Sequence, residues 1–303
     1  MHDLQFYLDE LAKDDLIYLF LPLFFLALLV EFIIDKRKNL QLFERKDTIA
    51  SLWMTAFVVV VDILPKLAAF ILFFYLHSIS PFADLIQRQW WAWVLLFFLD
   101  DITYYFMHRA NHEVRLFWAG HVSHHSAVKM NYATALRQGV MERLHKYAFW
   151  IPLPLLGFDP LMIFTMMSLS LFYQFWLHTE LVDTLPTWFE RFFNTPSHHR
   201  VHHASNIRYL DCNHAATLII WDKLLGTFSS QVKSEPPVYG LTTNITSQNP
   251  FFVATHEYFA IAADVRRAKT MRDKLSYLFK APGWSHDGED KRAKTLRSKS
   301  AAA

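Results

Sequence analysis

Hydrophobic residues in this chain come in long runs, not in the short alternations that mark strands. Residues 16–34, LIYLFLPLFFLALLVEFII, carry a single charge, Glu31. Nineteen residues at 1.5 Å each reach about 28 Å, close to one hydrocarbon thickness, which predicts a transmembrane helix. Lys36, Arg37, Lys38, Arg45 and Lys46 follow it, so the positive-inside tendency puts this loop in the cytoplasm and the N-terminus outside. A second run, 48–76, has Pro65 in its middle and fits either one kinked helix or two shorter ones.

The third run, 90–107, opens with Trp90, Trp91 and Trp93, side chains suited to a membrane interface. If the second run crosses once, the third delivers His108 to the cytoplasmic side. Pro152, Pro154, Gly157 and Pro160 interrupt the fourth run, 147–178. That predicts a broken, re-entrant hairpin with both ends on one face, the alternative being a pair of core helices. Residues 221–228, WDKLLGTF, read as a short amphipathic helix ending at Gly226. From 265 onward the chain is basic and polar and is expected to be disordered.

No internal repeat divides the chain. The expected architecture is one all-α integral membrane domain: N-terminal transmembrane helices (1–107), a histidine-rich region (108–228) that includes the hairpin 147–178, and an amphipathic or polar tail (229–303). The helices and hairpins would support a helical cap on the cytosolic side.

Composition agrees with a membrane protein that has a large polar part: 53% of residues are hydrophobic and 17% aromatic, with only 7 Gly. A net charge of +2 gives no argument for nucleic acid. The N-terminus is acidic (Asp3, Asp9, Glu10, Asp14, Asp15) and no small-residue cleavage site follows the first run, so no cleavable signal peptide is predicted. The single cysteine, Cys212, excludes an intrachain disulfide, a four-thiolate iron–sulfur cluster and a cysteine-based zinc site. Metal chemistry here must use nitrogen and oxygen ligands, and 16 histidines are available for it.

Those histidines form three boxes: His108 and His112 (HxxxH), His121, His124 and His125 (HxxHH), and His199, His202 and His203 (HxxHH), the last preceded by His198. Helical positions three and four apart share a face, so each box presents two or three imidazoles to one region. Eight imidazoles exceed what one ion takes, and two metals are the economical count. His178, at the end of the hairpin, is a ninth candidate. Imidazole suits iron, copper, zinc and nickel alike. Asp100 and Asp101 are costly inside an apolar run. Asp101, seven residues before His108, is expected to accept the second ring N–H of a ligand histidine. His198 is expected behind the metals or at the substrate mouth.

The order of these boxes around hydrophobic segments resembles the fatty acid hydroxylase/sterol desaturase superfamily of integral membrane di-iron oxygenases, over residues 90–228. DDITYYFMHRANHEVRLFWAGHVSHHS, NYATALRQ, YQFWLHTELV, NTPSHHRVHH and LIIWDKLLGTF carry the resemblance. Within the superfamily they are most similar to the branch that cleaves the ether bond of alkylglycerol lipids.

The resemblance implies two iron ions on His108, His112, His121, His124, His125, His178, His199, His202 and His203, dioxygen, a lipid substrate, and tetrahydrobiopterin as reductant. Glu113 matches an acid implicated with the pterin. Asn213 and His214 are expected around the ligands, His214 standing where the family usually has a tyrosine. No haem or iron–sulfur motif is visible in the chain, so electrons must arrive from an external donor: a pterin, a ferredoxin or a cytochrome. The implied location is a bacterial inner membrane or the endoplasmic reticulum, with the site on the cytoplasmic side. Rival readings are a hydroxylase or desaturase of acyl chains, sterols, carotenoids or ornithine lipids and, from another class, a membrane zinc hydrolase or metal-handling protein. An HExxH motif is absent: His256-Glu257 has no histidine four residues after His256.

Overall fold

The apolar runs become helices, and no strand forms among the described residues. The computed structural model describes Phe6 and residues 16–302. The acidic residues Asp3, Asp9, Glu10, Asp14 and Asp15, on which the signal-peptide reading rests, lie outside them.

Helix α1 (Leu16–Lys38) ends in Lys36, Arg37 and Lys38, cations that suit the negative end of the helix dipole. Of its two acids, Glu31 and Asp35, both buried, Glu31 lies deeper in the apolar run and is fully buried. Glu31 accepts the Tyr132 N–H at 2.6 Å and the Thr179 hydroxyl, tying α1 to two segments that flank the histidines. Helix α2 (Arg45–Ser78) starts where the Glu44 side chain accepts the Asp47 N–H at 2.6 Å. It runs unbroken with Pro65 inside, which resolves the second run as one helix. Its 34 residues reach about 51 Å, well beyond a hydrocarbon core. Among the described residues it is the helix long and apolar enough to cross a membrane. Trp53, Val60 and Leu64 stand exposed along it.

Helices α3 (Trp90–Glu113) and α4 (Arg115–His125) meet at the extended Val114. The change of direction there folds the first two histidine boxes against each other. The fourth run breaks as its prolines dictate, into a 3-10 turn at Tyr147–Trp150, a short helix at Pro152–Leu155 and helix α5 (Pro160–Phe175). Gly157 makes the turn at φ +92°, a conformation open to glycine but strained for other residues. Asp159 then caps α5 through the Leu161 N–H, with Pro160 at the first helical position. Lys146 and His178 line one cavity, so the two ends of this excursion return to the same place. Phe70 and Phe73 of α2, Leu96 of α3, Trp150 of the 3-10 turn and Phe164 of α5 form the apolar core beneath.

The third box lies on the short helix α6 (Pro196–His202). Helix α7 (Ile220–Leu225) ends at Gly226, left-handed at φ +76°, as the sequence predicts. The region beyond 265 differs from expectation. Helix α8 (Pro250–Arg267) is followed by α9 (Met271–Phe279) and α10 (Ala293–Ala302). The order has a physical source: Tyr277 is buried, its hydroxyl accepts from Arg267 at 2.9 Å, and Thr270 caps α9. Arg115 of α4 anchors α8 through Glu257 and Asp264, each at 2.7 Å.

Candidate metal centre

The boxes converge as two groups of buried imidazoles. His108, His112, His121, His125 and His202 form one, and His124, His178, His199 and His203 the other; within each group the candidate nitrogens lie within 4.8 Å of one another. Together they hold the nine histidines named from the sequence. The division cuts across the boxes, however. His121 and His125 go one way and their neighbour His124 the other, while His202 parts from His199 and His203.

The nitrogen spacing fits metal ions. Nε2 atoms face each other at 3.1 Å (His108–His121) and 3.2 Å (His125–His121) in the first group. In the second they lie at 3.2 Å (His178–His124), 2.9 Å (His199–His178) and 3.1 Å (His203–His199). Two nitrogens bound at 2.0–2.1 Å to one ion, at angles from 90° to tetrahedral, sit about 2.9–3.4 Å apart. Nε2 of His112 and of His202, both buried, have no hydrogen-bond partner.

The opposite ring nitrogens explain why those faces are lone pairs. His108 Nδ1–H donates to His214 O at 2.8 Å, His124 to Arg137 O at 3.1 Å, His178 to Gln174 O at 2.9 Å and His202 to Cys212 O at 2.9 Å. His121 donates to Glu142 at 2.7 Å and His112 to Asp211 at 3.2 Å. Each bond fixes the tautomer with the proton outward and Nε2 bare inward. Facing lone pairs repel unless a cation lies between them.

Electrostatics favour the same state. Burial, then repulsion among the imidazoles, pushes His108, His124, His125, His199, His202 and His203 well below the usual histidine range. Burial alone would raise Glu142, but its pairing with His121 and the nearby Arg143 guanidinium hold it far below the usual carboxylate range.

Backbone around the site is held by buried polar clamps. Arg137, fully buried, donates to Ser123 O, to the Ser126 hydroxyl, to Asp47 and to Gln248. It locks the end of α4 to the start of α2. Segment 211–222 supplies Asp211 and the carbonyls of Cys212 and His214 to three histidines of the first group. Asp101 was expected to receive a histidine N–H. It instead accepts the N–H groups of Thr217 (2.8 Å) and Leu218 (3.0 Å) and Trp221 Nε1 (2.8 Å). Its face of α3 meets this loop, whose unpaired N–H groups are the stronger demand. Asp222 does the same for His214 and Ala215, both at 2.8 Å.

Asn213 donates to His198 O at 3.0 Å and to Ser229 O at 2.7 Å, pinning α6 to the loop. His198 is in neither group and packs edge-on against Phe228. His214 is fully buried beside the first group, its ring 4.9 Å from that of His112, with both nitrogens unpartnered. Glu113 lies half-exposed on the outside of α3, paired with Arg109 at 2.8 Å, and lines neither of the cavities described below. Glu142, Asp211 and Arg137 are residues that sequence spacing did not reveal, because each reaches the site from a loop with no periodic relation to a box.

Two cavities approach the histidines. One, of about 170 Å³, has mostly apolar walls from α1, α2 and α5 and reaches His121, His124, His178 and His199. The other, of about 350 Å³, is more polar and reaches His112, His125, His202 and His203 past Trp118, Asp211 and Glu257.

Residues 93–227 match the family model described as fatty acid hydroxylase, a stretch that contains all nine clustered histidines. Over the stretch that holds its paired histidine groups the chain is thus similar to fatty acid hydroxylases. Alkylglycerol monooxygenase of Homo sapiens is 43% identical over 195 residues, 64% of this chain and 43% of that protein. The Xenopus tropicalis alkylglycerol monooxygenase is 36% identical over 261 residues, 86% of this chain and 58% of that protein. Ornithine lipid hydroxylase OlsE of Rhizobium tropici is 31% identical over 154 residues, 50% and 46% of the two chains. The chain spans about half the length of the curated relatives it matches. No solved structure matches it.

Proposed function

We propose that this chain is a membrane-bound di-iron monooxygenase that hydroxylates a lipid C–H bond, and that its substrate class is the alkyl ether of glycerol. The observation that carries the reading is the inward-facing set of bare Nε2 atoms in two groups of five and four. Their nitrogen-only donor set suits iron without excluding other first-row metals. The similarity to alkylglycerol monooxygenases supports the ether lipid, and the fatty acid hydroxylase match supports iron.

When bound, two iron ions supply the activation of dioxygen and the transfer of one oxygen atom to carbon. The protein does the rest. Nδ1 anchors hold the imidazoles in place and keep their protons off the metal side. The apolar cavity seats a hydrocarbon chain against the four-histidine group and excludes water. Hydroxylation at the carbon next to an ether oxygen gives a hemiacetal, which collapses to an aldehyde and a free glycerol hydroxyl. The second oxygen atom leaves as water, with two electrons from an external donor. We assign the polar cavity as the approach for that donor, a tetrahydropterin being the proposed one. The site is proposed to face the cytoplasm, in a bacterial inner membrane or the endoplasmic reticulum.

Incubation of the purified protein with labelled alkylglycerol, dioxygen and a tetrahydropterin tests this reading. Fatty aldehyde is the expected product. The Rhizobium relative keeps a second reading alive, hydroxylation of an acyl chain in an amino-acid lipid. Hydroxyacyl product in place of aldehyde selects it.

A further inference from the structure

The lipid cavity is not uniformly apolar. Lys66, Arg143 and Lys146 line it against two carboxylates, Asp62 and Glu142. Both carboxylates are engaged elsewhere. Asp62 accepts the Tyr147 hydroxyl at 3.0 Å, and Glu142 accepts from His121 at 2.7 Å. Arg143 is 5% exposed; one of its Nη atoms donates to Gln138 Oε1 at 3.1 Å, and its buried Nε has no partner. Neither Arg143 nor the half-buried Lys146 forms a salt bridge among the described residues. Asp62 and Glu142 act on both cations only at longer range, with Asp100 acting on Lys146 as well.

A buried guanidinium without a contacting anion is costly, and a fold that keeps one beside a half-buried ammonium in a ligand cavity leaves a place for negative charge. Arg143 directly follows Glu142, the partner of His121, so this place adjoins the histidine groups. We infer that Arg143 and Lys146 form a seat for an oxyanion headgroup, carboxylate or phosphate, on the lipid that enters this cavity. The inference deepens the lipid-oxidation reading and rests on it. A neutral glycerol head leaves the Arg143 Nε–H unpaired, whereas an oxyanion accepts from a guanidinium edge in fork geometry. Oxidation then falls on a carbon near the head, with the remaining chain along α1, α2 and α5.

Displacement of a fluorescent fatty-chain probe from the detergent-solubilised full chain tests the seat. Two pairs of competitors are compared: hexadecanoic acid with hexadecanol, and hexadecylglycerol phosphate with hexadecylglycerol. The anionic member of at least one pair is expected to bind about tenfold tighter, and the pair that shows it identifies carboxylate or phosphate. Arg143→Gln and, separately, Lys146→Gln should reduce that ratio while leaving the neutral member's affinity within about twofold. Equal affinities within both pairs for the unaltered protein overturn the inference, as does an anion preference that survives both substitutions. Anion preference without oxidation of any ether lipid would overturn the ether-cleavage reading and leave the seat standing.

Discussion

Glu142 Oε2 lies 2.7 Å from His121 Nδ1, with both side chains buried. This contact makes His121 the one member of the five-histidine group oriented by a buried carboxylate, since Asp211, on His112, is partly exposed. A carboxylate behind a ligand imidazole raises its basicity and fixes its ring. Glu142→Ala is therefore expected to weaken metal binding in the first group by about 10–100-fold, and Glu142→Gln by less, because an amide oxygen still accepts. Competition with a chelator of known affinity reads this directly. Unchanged affinity in both variants would remove Glu142 from the site.

The approach of Glu142 depends on two glycines. A Cβ on Gly120 would lie 2.9 Å from Glu142 N, and a Cβ on Gly139 would fall on Gly120 O. Backbone cannot yield as a flexible side chain does, so Gly120→Ala and Gly139→Ala should each destabilise the protein by about 1–3 kcal/mol and loosen metal in the first group. Thermal melting and metal content of the same samples check both effects. Wild-type values for both would show that the 139–142 segment is free to shift.

The four-histidine group has no spare ligand. His178→Ala leaves three imidazoles there, so this variant should retain metal in the five-histidine group and lose it from the other. Metal analysis should then give about half the unaltered stoichiometry. A full complement would mean that His178 is not a ligand.

Buried neutral imidazoles also set a pH dependence. Burial lowers His198 to about 4 and pushes six of the clustered histidines well below their usual range. Their folded pKa values lie below the unfolded value of about 6.5. The folded chain thus binds fewer protons than the unfolded one, and stability present above about pH 6.5 is lost as the pH falls from there towards the folded values. Bound metal excludes protons from the same nitrogens and should displace the loss to lower pH. Melting temperatures between pH 7.5 and 4.5, with and without added metal, test the sign. Metal-free protein that gains stability on acidification would contradict it.

Eight of the nine clustered histidines were legible in the sequence because helical spacing puts imidazoles three and four apart on one face, and the ninth, His178, stood out only by its place at the end of the hairpin. How they divide was not. His124 and His125 are adjacent, so about 100° separates them around the helix axis, and they straddle two foci instead of sharing one. A box pattern shows that a face is rich in ligands; only the packing of α4, α5 and α6 decides which focus each ring meets. Asp101 illustrates the same limit. Its position facing the site was readable, but its partners are two main-chain N–H groups and the Trp221 indole, 116 and more residues away. The tail beyond 265 looked too polar to order, yet Arg115, itself needing two carboxylates, draws α8 onto α4.

The account stands on two metals per chain. The most direct measurement is the metal content of anaerobically purified, full-length protein, taken with oxygen uptake in the presence of ether lipid and reductant. Two irons per chain, one for each histidine group, with lipid-dependent oxygen uptake, is the predicted result. A single metal per chain, or zinc alone with no oxygen uptake, would contradict it.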